Sequence, residues 1–467
     1  MDLKPFEIRV CDLPIHPIEY RYGSPAMKRI FSRESWLEKM LLVEATLVQA
    51  YADVGEVSRK AADYISARAS LKYVSLEDVD RYEKITDHEV MAVVKALSDA
   101  CGPYGAYIHL GATSSDITDT VLALQLKEAL EIVDGDLKRL AEALIHKAIE
   151  YRDTICLGRT HGIAALPMPF GFKFAVWAAE VKRHRERLSQ CLPRVCVGKM
   201  SGAIGTMAGL GPHAMEVQNL VMKRLGIRAA EISTQIVPRD GLAELMVLLA
   251  LISSSLEKMA NEIRNLQRTE IREVEEPFVE ATQVGSSTMP HKRNPIKSEK
   301  VCGLARIIRG FATAALENVV LEHERDLTNS SCERSMVPEV LILLDEQLKT
   351  LIRVIEGLVV YPENMRRNME ATKGLLMSEA VMLAMARKGA PRQWAHEVLR
   401  QCSMEALRRQ VDLKDVLKER EEVRRYLSLE EIEEAMNPFN YLGTSREQIE
   451  RIVEDVRASL TSKKEAS

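Results

Sequence analysis

The stretch DITDTVLALQLKEALEIVDGDLKRLAEALIHKAIEY, residues 116–151, decides the fold. Leu122, Leu126, Leu130, Val133, Leu137, Leu140 and Leu144 recur at spacings of three and four, the period of one face of an α-helix. Ser114, Ser115 and Asp116 at its head are the oxygen-bearing residues that cap a helix start. At 1.5 Å per residue this helix is about 50 Å long, and its apolar stripe needs partners of similar length. The chain supplies four more. Met168 to Leu188 carries Phe170, Phe174, Trp177 and Val181, and Arg239 to Glu276 carries Leu248, Ile252, Leu256, Met259, Ile263 and Leu266. Pro295 to Glu322 and Arg334 to Val360 complete a set of five.

Aromatics form only 5% of the chain, while Leu, Ala, Met, Glu, Arg and Lys dominate, a helix-forming vocabulary. The expected fold class is all-α, with three regions: a helical head over 1–112, a central five-helix bundle over 113–361, and a helical cap over 362–467 that opens at Pro362. Gly, Ser, Thr and Pro concentrate in loops at 109–115, 158–169, 198–212, 284–295 and 326–332. Strands are expected only as short loop excursions. Several helices look apolar over more than one stripe, so either copies of the chain assemble or the head and cap cover those faces.

The chain has 467 residues with 64 basic and 68 acidic side chains, a net charge of −4. A phosphate-backbone reader normally shows a basic surplus, so nucleic acid is not an expected partner. No apolar run reaches the roughly 18–20 residues that span a bilayer; the best, Leu245–Leu251, has Glu244 before it and serines after it. The opening MDLKPFEIRV has no signal-peptide core. The eight cysteines, at 11, 101, 156, 191, 196, 302, 332 and 402, form no C-x-x-C pair and read as reduced core thiols of a soluble cytoplasmic protein. No histidine pair has zinc-ligand spacing, and the glycines at 202, 205, 209 and 211 form neither a dinucleotide fingerprint nor a P-loop. No metal and no cofactor is expected.

The segment GSSTMPHKRNP, residues 285–295, interrupts two long helices. It crowds hydroxyls, His291, Lys292, Arg293 and Asn294 into eleven residues, more polar chemistry than a connector requires. Its glycine lets backbone amides approach a ligand, and its cations suit a carboxylate or phosphate. A serine here becomes a base or nucleophile only where amides and Lys292 stabilise its oxyanion. In GRTHGIAALPMPFG, residues 158–171, His161 has the side chain best suited to exchange a proton near neutral pH, and Glu299 is a candidate to orient it. In HLGATSSDITDT, residues 109–120, Thr113, Ser114 and Ser115 are caps, a grip for a substrate carboxylate, or both. His88 sits near a helix start in ITDHEVMAVVKAL, and HERDLTNSSCER presents Arg325, Ser330, Ser331 and Arg334, a set that suits a phosphate.

These stretches resemble the fumarase/aspartase superfamily, whose signature loop G-S-S-x-M-P-x-K-x-N-P matches completely at 285–295. Within it, PHKRNP, GRTHG, TSSDxxDT, the Arg21–Tyr22 pair, TQxxPRD around Gln235, the LEKxAxEIRxLQ run at 256–267 and the C-terminal YLG resemble the adenylosuccinate lyases, over residues 20–443. The resemblance implies three helical domains and a homotetramer with a central twenty-helix core whose active sites draw on three subunits. It implies elimination of fumarate from adenylosuccinate, giving AMP, and from the ribotide SAICAR, giving AICAR. It further implies Ser286 as general base, His161 as general acid with Glu299 as its partner, and Lys292 and His88 in catalytic support. Substrate contacts by the same correspondence are Arg21, Tyr22, Asp87, His88, Thr113, Ser114, Gln235, Ser287, Lys292, Arg293, Asn294, Arg325, Ser330, Ser331 and Arg334. Ile163–Pro169 depart from the polar x-H-A-E-P-T/S pattern of many members, which bears on substrate preference. Two other readings stay open here: a 3-carboxy-cis,cis-muconate cycloisomerase-like enzyme, which shares PHKRNP but typically lacks the GRTH histidine, and a noncatalytic structural protein of the lens-crystallin kind.

Overall fold

The computed structural model describes residues 14–279 and 281–461. The opening decapeptide and Cys11, on which two of the readings above rest, lie outside the described residues. Among the described residues there are nineteen α-helices and three two-stranded pairings, an all-α fold. The five long helices are Ser114–Glu150, Phe170–Val195, Asp240–Leu266, Ile296–Glu317 and Thr328–Glu356. Along the first, Leu126, Leu130, Val133, Leu137, Leu140 and Leu144 are buried and Leu122 is half-buried, as the three-four spacing requires.

Of the boundaries that differ from the sequence reading, three have a clear local reason. The Asp240–Leu266 helix ends ten residues before Glu276 because the chain turns back at Arg272, whose φ is 54°, and pairs Val274–Glu275 with Val359–Val360. The Thr328–Glu356 helix starts before Arg334 because the Asp326 carboxylate receives the Thr328 N–H at 2.7 Å, so TNSS is a first turn and not a loop. Residues 158–169 are likewise no plain loop. Ile155–Thr160 and Ile163–Pro169 form an antiparallel hairpin, and the next helix begins only at Phe170, whose N–H donates to Thr154 O at 2.7 Å.

Two compact units divide the chain, and their borders fall inside the five long helices. The first comprises Met1–Leu137, His184–Leu256 and Gly303–Lys349. Polar cross-links hold its helix segments side by side: Arg185 to Asp134 (3.0 and 3.1 Å), His184 to Ser255 (2.8 Å), Ser253 to Gln347 (2.7 Å) and Arg309 to Ser254 (3.3 Å). Its core joins Leu37, Leu47, Tyr51 and Leu97 to Ile117, Val121, Met200 and Val217. The second unit comprises Lys138–Arg183, Glu257–Cys302 and Thr350–Ser467. There Tyr151, Phe170, Phe174 and Trp177 form an edge-to-face ladder with centroid separations of 5.7, 5.1 and 5.4 Å. The hairpin residues Ile155 and Leu157 pack on Met369, Leu376 and Met377.

Among the described residues no helix is long and apolar enough to cross a membrane. Among the described residues seven cysteines form no disulfide, five of them are buried, and burial pushes the Cys156 thiol up to about 12.

In the first unit Arg239 is a buried hub. It grips Asp119 with both terminal nitrogens (3.0 and 2.9 Å) and Glu333 with Nε (2.9 Å). Arg239→Met strands two buried carboxylates and should lower stability by about 3–5 kcal/mol. Denaturant unfolding measures this, and a change within error would show that the triad is not structural.

Candidate active site

In the first unit, candidate residues collect at three helix starts. Asp87 and His88 are the whole linker between the helices Leu76–Thr86 and Glu89–Cys101. Asp87 ends the first in a left-handed conformation (φ 49°), and His88 caps the second: its Nδ1 accepts the Met91 N–H at 3.3 Å. That leaves Nε2 to carry the proton of the neutral ring, and Nε2 lies 3.4 Å from Ser114 Oγ. His88 and the TSS turn, separate stretches in the sequence, are thus brought into contact.

Arg325 donates to Ser115 Oγ at 3.0 Å and to Gln235 Oε1 at 3.2 Å, and its Nε is buried without a partner. Burial lowers its pKa below the ordinary value. A half-buried guanidinium held by neutral oxygens has the chemistry to receive an anion. Arg334 differs, because it forms a two-pronged ion pair with Glu89, with Nη1 2.9 Å from Oε1. An anionic ligand reaches Arg334 only by sharing or displacing that carboxylate. Ser330 and Ser331 lie on the same first helical turn, half-buried and exposed respectively.

Arg21 is exposed and Tyr22 half-buried at the end of the short helix Pro17–Tyr20. The following residues fix them: Gly23 N–H donates to Glu346 (3.1 Å), and Ser24 donates to Asp345 through N–H (2.6 Å) and Oγ (3.1 Å). Gly23 has φ 82°, and a Cβ there would lie 2.4 Å from an Ile342 methyl, so only glycine fits.

In the second unit the hairpin turns through His161 (φ 55°) and Gly162 (φ 77°), between the paired Thr160 and Ile163. Two successive positive φ values make a type I′ turn, the connection whose twist suits a two-residue hairpin. The imidazole stands exposed at its tip. Arg159, two residues back, anchors the hairpin through Glu273, which has no exposed side-chain surface: the two ion-pair distances are 3.1 and 2.6 Å, and Asn368 adds a third bond at 2.8 Å.

In the signature loop, Ser286 Oγ accepts the N–H of Thr288 at 3.3 Å and of Met289 at 3.1 Å. Two amides aimed at one hydroxyl oxygen favour its anion. Asn294 Nδ2 donates to Gly285 O at 3.2 Å and closes the loop, and a Cβ on Gly285 would meet Lys292 O at 2.1 Å. Ser287 and Lys292 are exposed. Arg293 is committed locally, paired with Glu275 at 3.0 Å and stacked over Phe278 at 4.8 Å. Glu299 is exposed on the first turn of Ile296–Glu317, and among the described residues no hydrogen bond joins it to His161. That helix start is met instead by the buried Glu276, which accepts from the N–H of Lys297 (3.1 Å) and Ser298 (2.6 Å).

Residues 19–310 match the family model described as lyase, and residues 374–452 match that for the adenylosuccinate lyase C-terminus. An adenylosuccinate lyase from Pyrococcus horikoshii is 53% identical over 95% of this chain and 98% of its own length. The chain belongs to the adenylosuccinate lyase family. A second adenylosuccinate lyase, from Methanocaldococcus jannaschii, is 48% identical over 95% of this chain and 96% of its own. Among solved structures, the 3-carboxy-cis,cis-muconate lactonizing enzyme of Pseudomonas putida superposes with a TM-score of 0.86 at 34% identity, covering 95% of this chain and 99% of that one. That fold is thus shared with the muconate enzyme, while the identity is higher to the adenylosuccinate lyases.

His109, the first residue of HLGATSSDITDT, carries no motif role in the sequence. Its backbone N–H and Nδ1 both reach Glu44, at 3.1 and 2.7 Å, and Glu44 is fully buried. Burial by itself lowers the His109 pKa, but the Glu44 hydrogen bond and charge, with Asp116 behind them, outweigh it and leave the folded value raised. The stabilisation is therefore complete below the unfolded value of about 6.5 and is lost as pH rises through the raised folded value. Thermal unfolding followed from about pH 6 to about pH 9 should show the wild type losing stability over this window relative to His109→Asn, which tolerates the left-handed backbone at this position (φ 60°) but does not titrate. Parallel curves would remove the assignment.

Proposed function

We propose that this chain is an adenylosuccinate-cleaving enzyme of purine nucleotide biosynthesis, a carbon–nitrogen lyase that releases fumarate from adenylosuccinate and from SAICAR. In the step, the Ser286 oxygen takes the proton from the carbon beside a succinyl carboxylate. The electron pair forms the double bond of fumarate as the C–N bond breaks, and the His161 imidazolium protonates the departing nitrogen. Removal of that proton turns the carboxylate into a dianionic aci-form, which Lys292 and Asn294 stabilise more strongly than the substrate. The observation that carries the reading is Ser286 Oγ, held under two backbone amides in a loop that also bears Lys292.

We further propose a homotetramer whose long helices form a shared core, with each active site drawing residues from three copies and Arg325 as the main anion clamp. Val176, Val247, Leu251, Ile307 and Leu316 support assembly: they lie on long helices and each is at least 42% exposed within the chain. The free thiols fit a reducing, cytoplasmic location.

Purified protein incubated with adenylosuccinate should yield AMP and fumarate in equal amounts, and inertness would sink the reading. Turnover of carboxymuconate instead would install the cycloisomerase. Ser286→Ala and His161→Asn should each lower kcat by about three orders of magnitude or more while leaving the unfolding transition in place. Near-normal rates would refute the assigned roles. Mixing the two inactive variants should restore part of the activity, and no recovery after exchange of subunits would argue against shared sites.

A further inference from the structure

Asp116 gathers donors from separate parts of the first unit. Its Oδ1 receives Lys199 Nζ at 2.6 Å and Ser201 N–H at 2.7 Å, and its Oδ2 receives Thr113 N–H at 2.8 Å. Gly202 N–H lies between the two oxygens, at 3.2 and 3.1 Å. Lys199 makes its second bond to Gly202 O at 2.9 Å, and neither ion has any exposed side-chain surface. One turn further, Thr120 Oγ1 donates to Lys199 O at 2.8 Å and accepts Lys199 N–H at 3.0 Å. Residues 199–202 are thus zipped to the first two turns of the Ser114–Glu150 helix.

A buried ion pair is weak evidence of stabilisation, since apolar residues of similar volume commonly serve as well. The geometry here has a more specific effect. Asp116 is the third residue of its helix, and by taking the Thr113 N–H it closes a reverse capping bond that fixes the backbone of Thr113–Ser115. Ser114 Oγ is then held near His88 Nε2 and Ser115 Oγ near Arg325. The helix start is a natural anion site, but an unneutralised carboxylate in its first turn would repel an incoming one. Lys199 cancels that charge from beneath.

We propose that Asp116 and Lys199 are positioning residues for a succinyl carboxylate: Asp116 sets the Thr113–Ser115 turn, and Lys199 keeps the helix mouth receptive to a second anion. This rests on the fumarate-eliminating reading given above. The pair touches no substrate itself.

The test compares wild type with Lys199→Met, measuring KM for adenylosuccinate and the inhibition constants of fumarate, which has only carboxylates, and of AMP, which has none. KM and the fumarate constant should rise about tenfold or more, with the AMP constant unchanged and kcat reduced less than KM is raised. A fumarate constant that does not move, or an AMP constant that moves equally, overturns the proposal, because a merely structural role would lower the active fraction without separating the two ligands. Should Lys199→Met fail to fold, Thr120→Val, which removes only the second-turn clasp, is read the same way with a shift of about threefold expected. A wild type inert towards adenylosuccinate overturns the functional reading and this proposal with it, whereas an active wild type with an unshifted variant overturns the positioning role alone.

Discussion

A helix leaves its first N–H groups without intrahelical partners, and in a chain built on long helices those groups must be met by side chains, by solvent or by ligand. Much of this structure follows from how that constraint is resolved. Glu276 meets the start of Ile296–Glu317, Asp326 the start of Thr328–Glu356, and the His88 ring the start of Glu89–Cys101. At Ser114–Glu150 the Asp116 carboxylate turns back on Thr113 and joins the helix to a segment some eighty residues away. Several of the candidate stretches are therefore ones that begin helices, whereas His161 stands at the tip of a hairpin. Hydroxyls and imidazoles suit both tasks, which is why caps and candidate contacts coincide.

The candidate cations fall into two electrostatic kinds. Arg293 and Arg334 have carboxylate partners in the chain, Glu275 and Glu89. Arg325 has neutral partners and a buried nitrogen with none. Residue type alone gives all three the same prospect of binding phosphate or carboxylate. Placement separates them, because an arginine already neutralised offers an anion less than one whose charge is only solvated by a serine and an amide.

What the sequence made legible was whatever a local pattern encodes. The three-four spacing of leucines located the first long helix to within two residues, and the apolar face Phe170–Phe174–Trp177–Val181 is buried as read. Boundaries set by distant partners were not legible. The strand residues Val274–Glu275 lie in what reads as a continuing helix, and only their pairing with Val359–Val360 turns them. The hairpin at 155–169 was hidden because Ala164, Ala165 and Leu166 carry no strand vocabulary, and the twist is supplied by the turn. Among the candidate site residues, Ser286 and His161 stand out in the sequence by dense motif chemistry, whereas Glu273 beneath Arg159, and Lys199 beneath Asp116, lie some eighty or more residues from the groups they hold. Such pairs have no spacing signature in one sequence. Among the described residues no hydrogen bond joins Glu299 to His161, and both side chains are exposed.

The left-handed backbone at position 161 carries a consequence for how this scaffold drifts. Asparagine and glycine occupy that conformation at least strain, and β-branched residues at the most. A duplicated copy released from catalysis would shed the imidazole along the path of least backbone resistance, so that GRTNG or GRTGG, in an otherwise intact hairpin, is the scar by which a retired paralogue would be known.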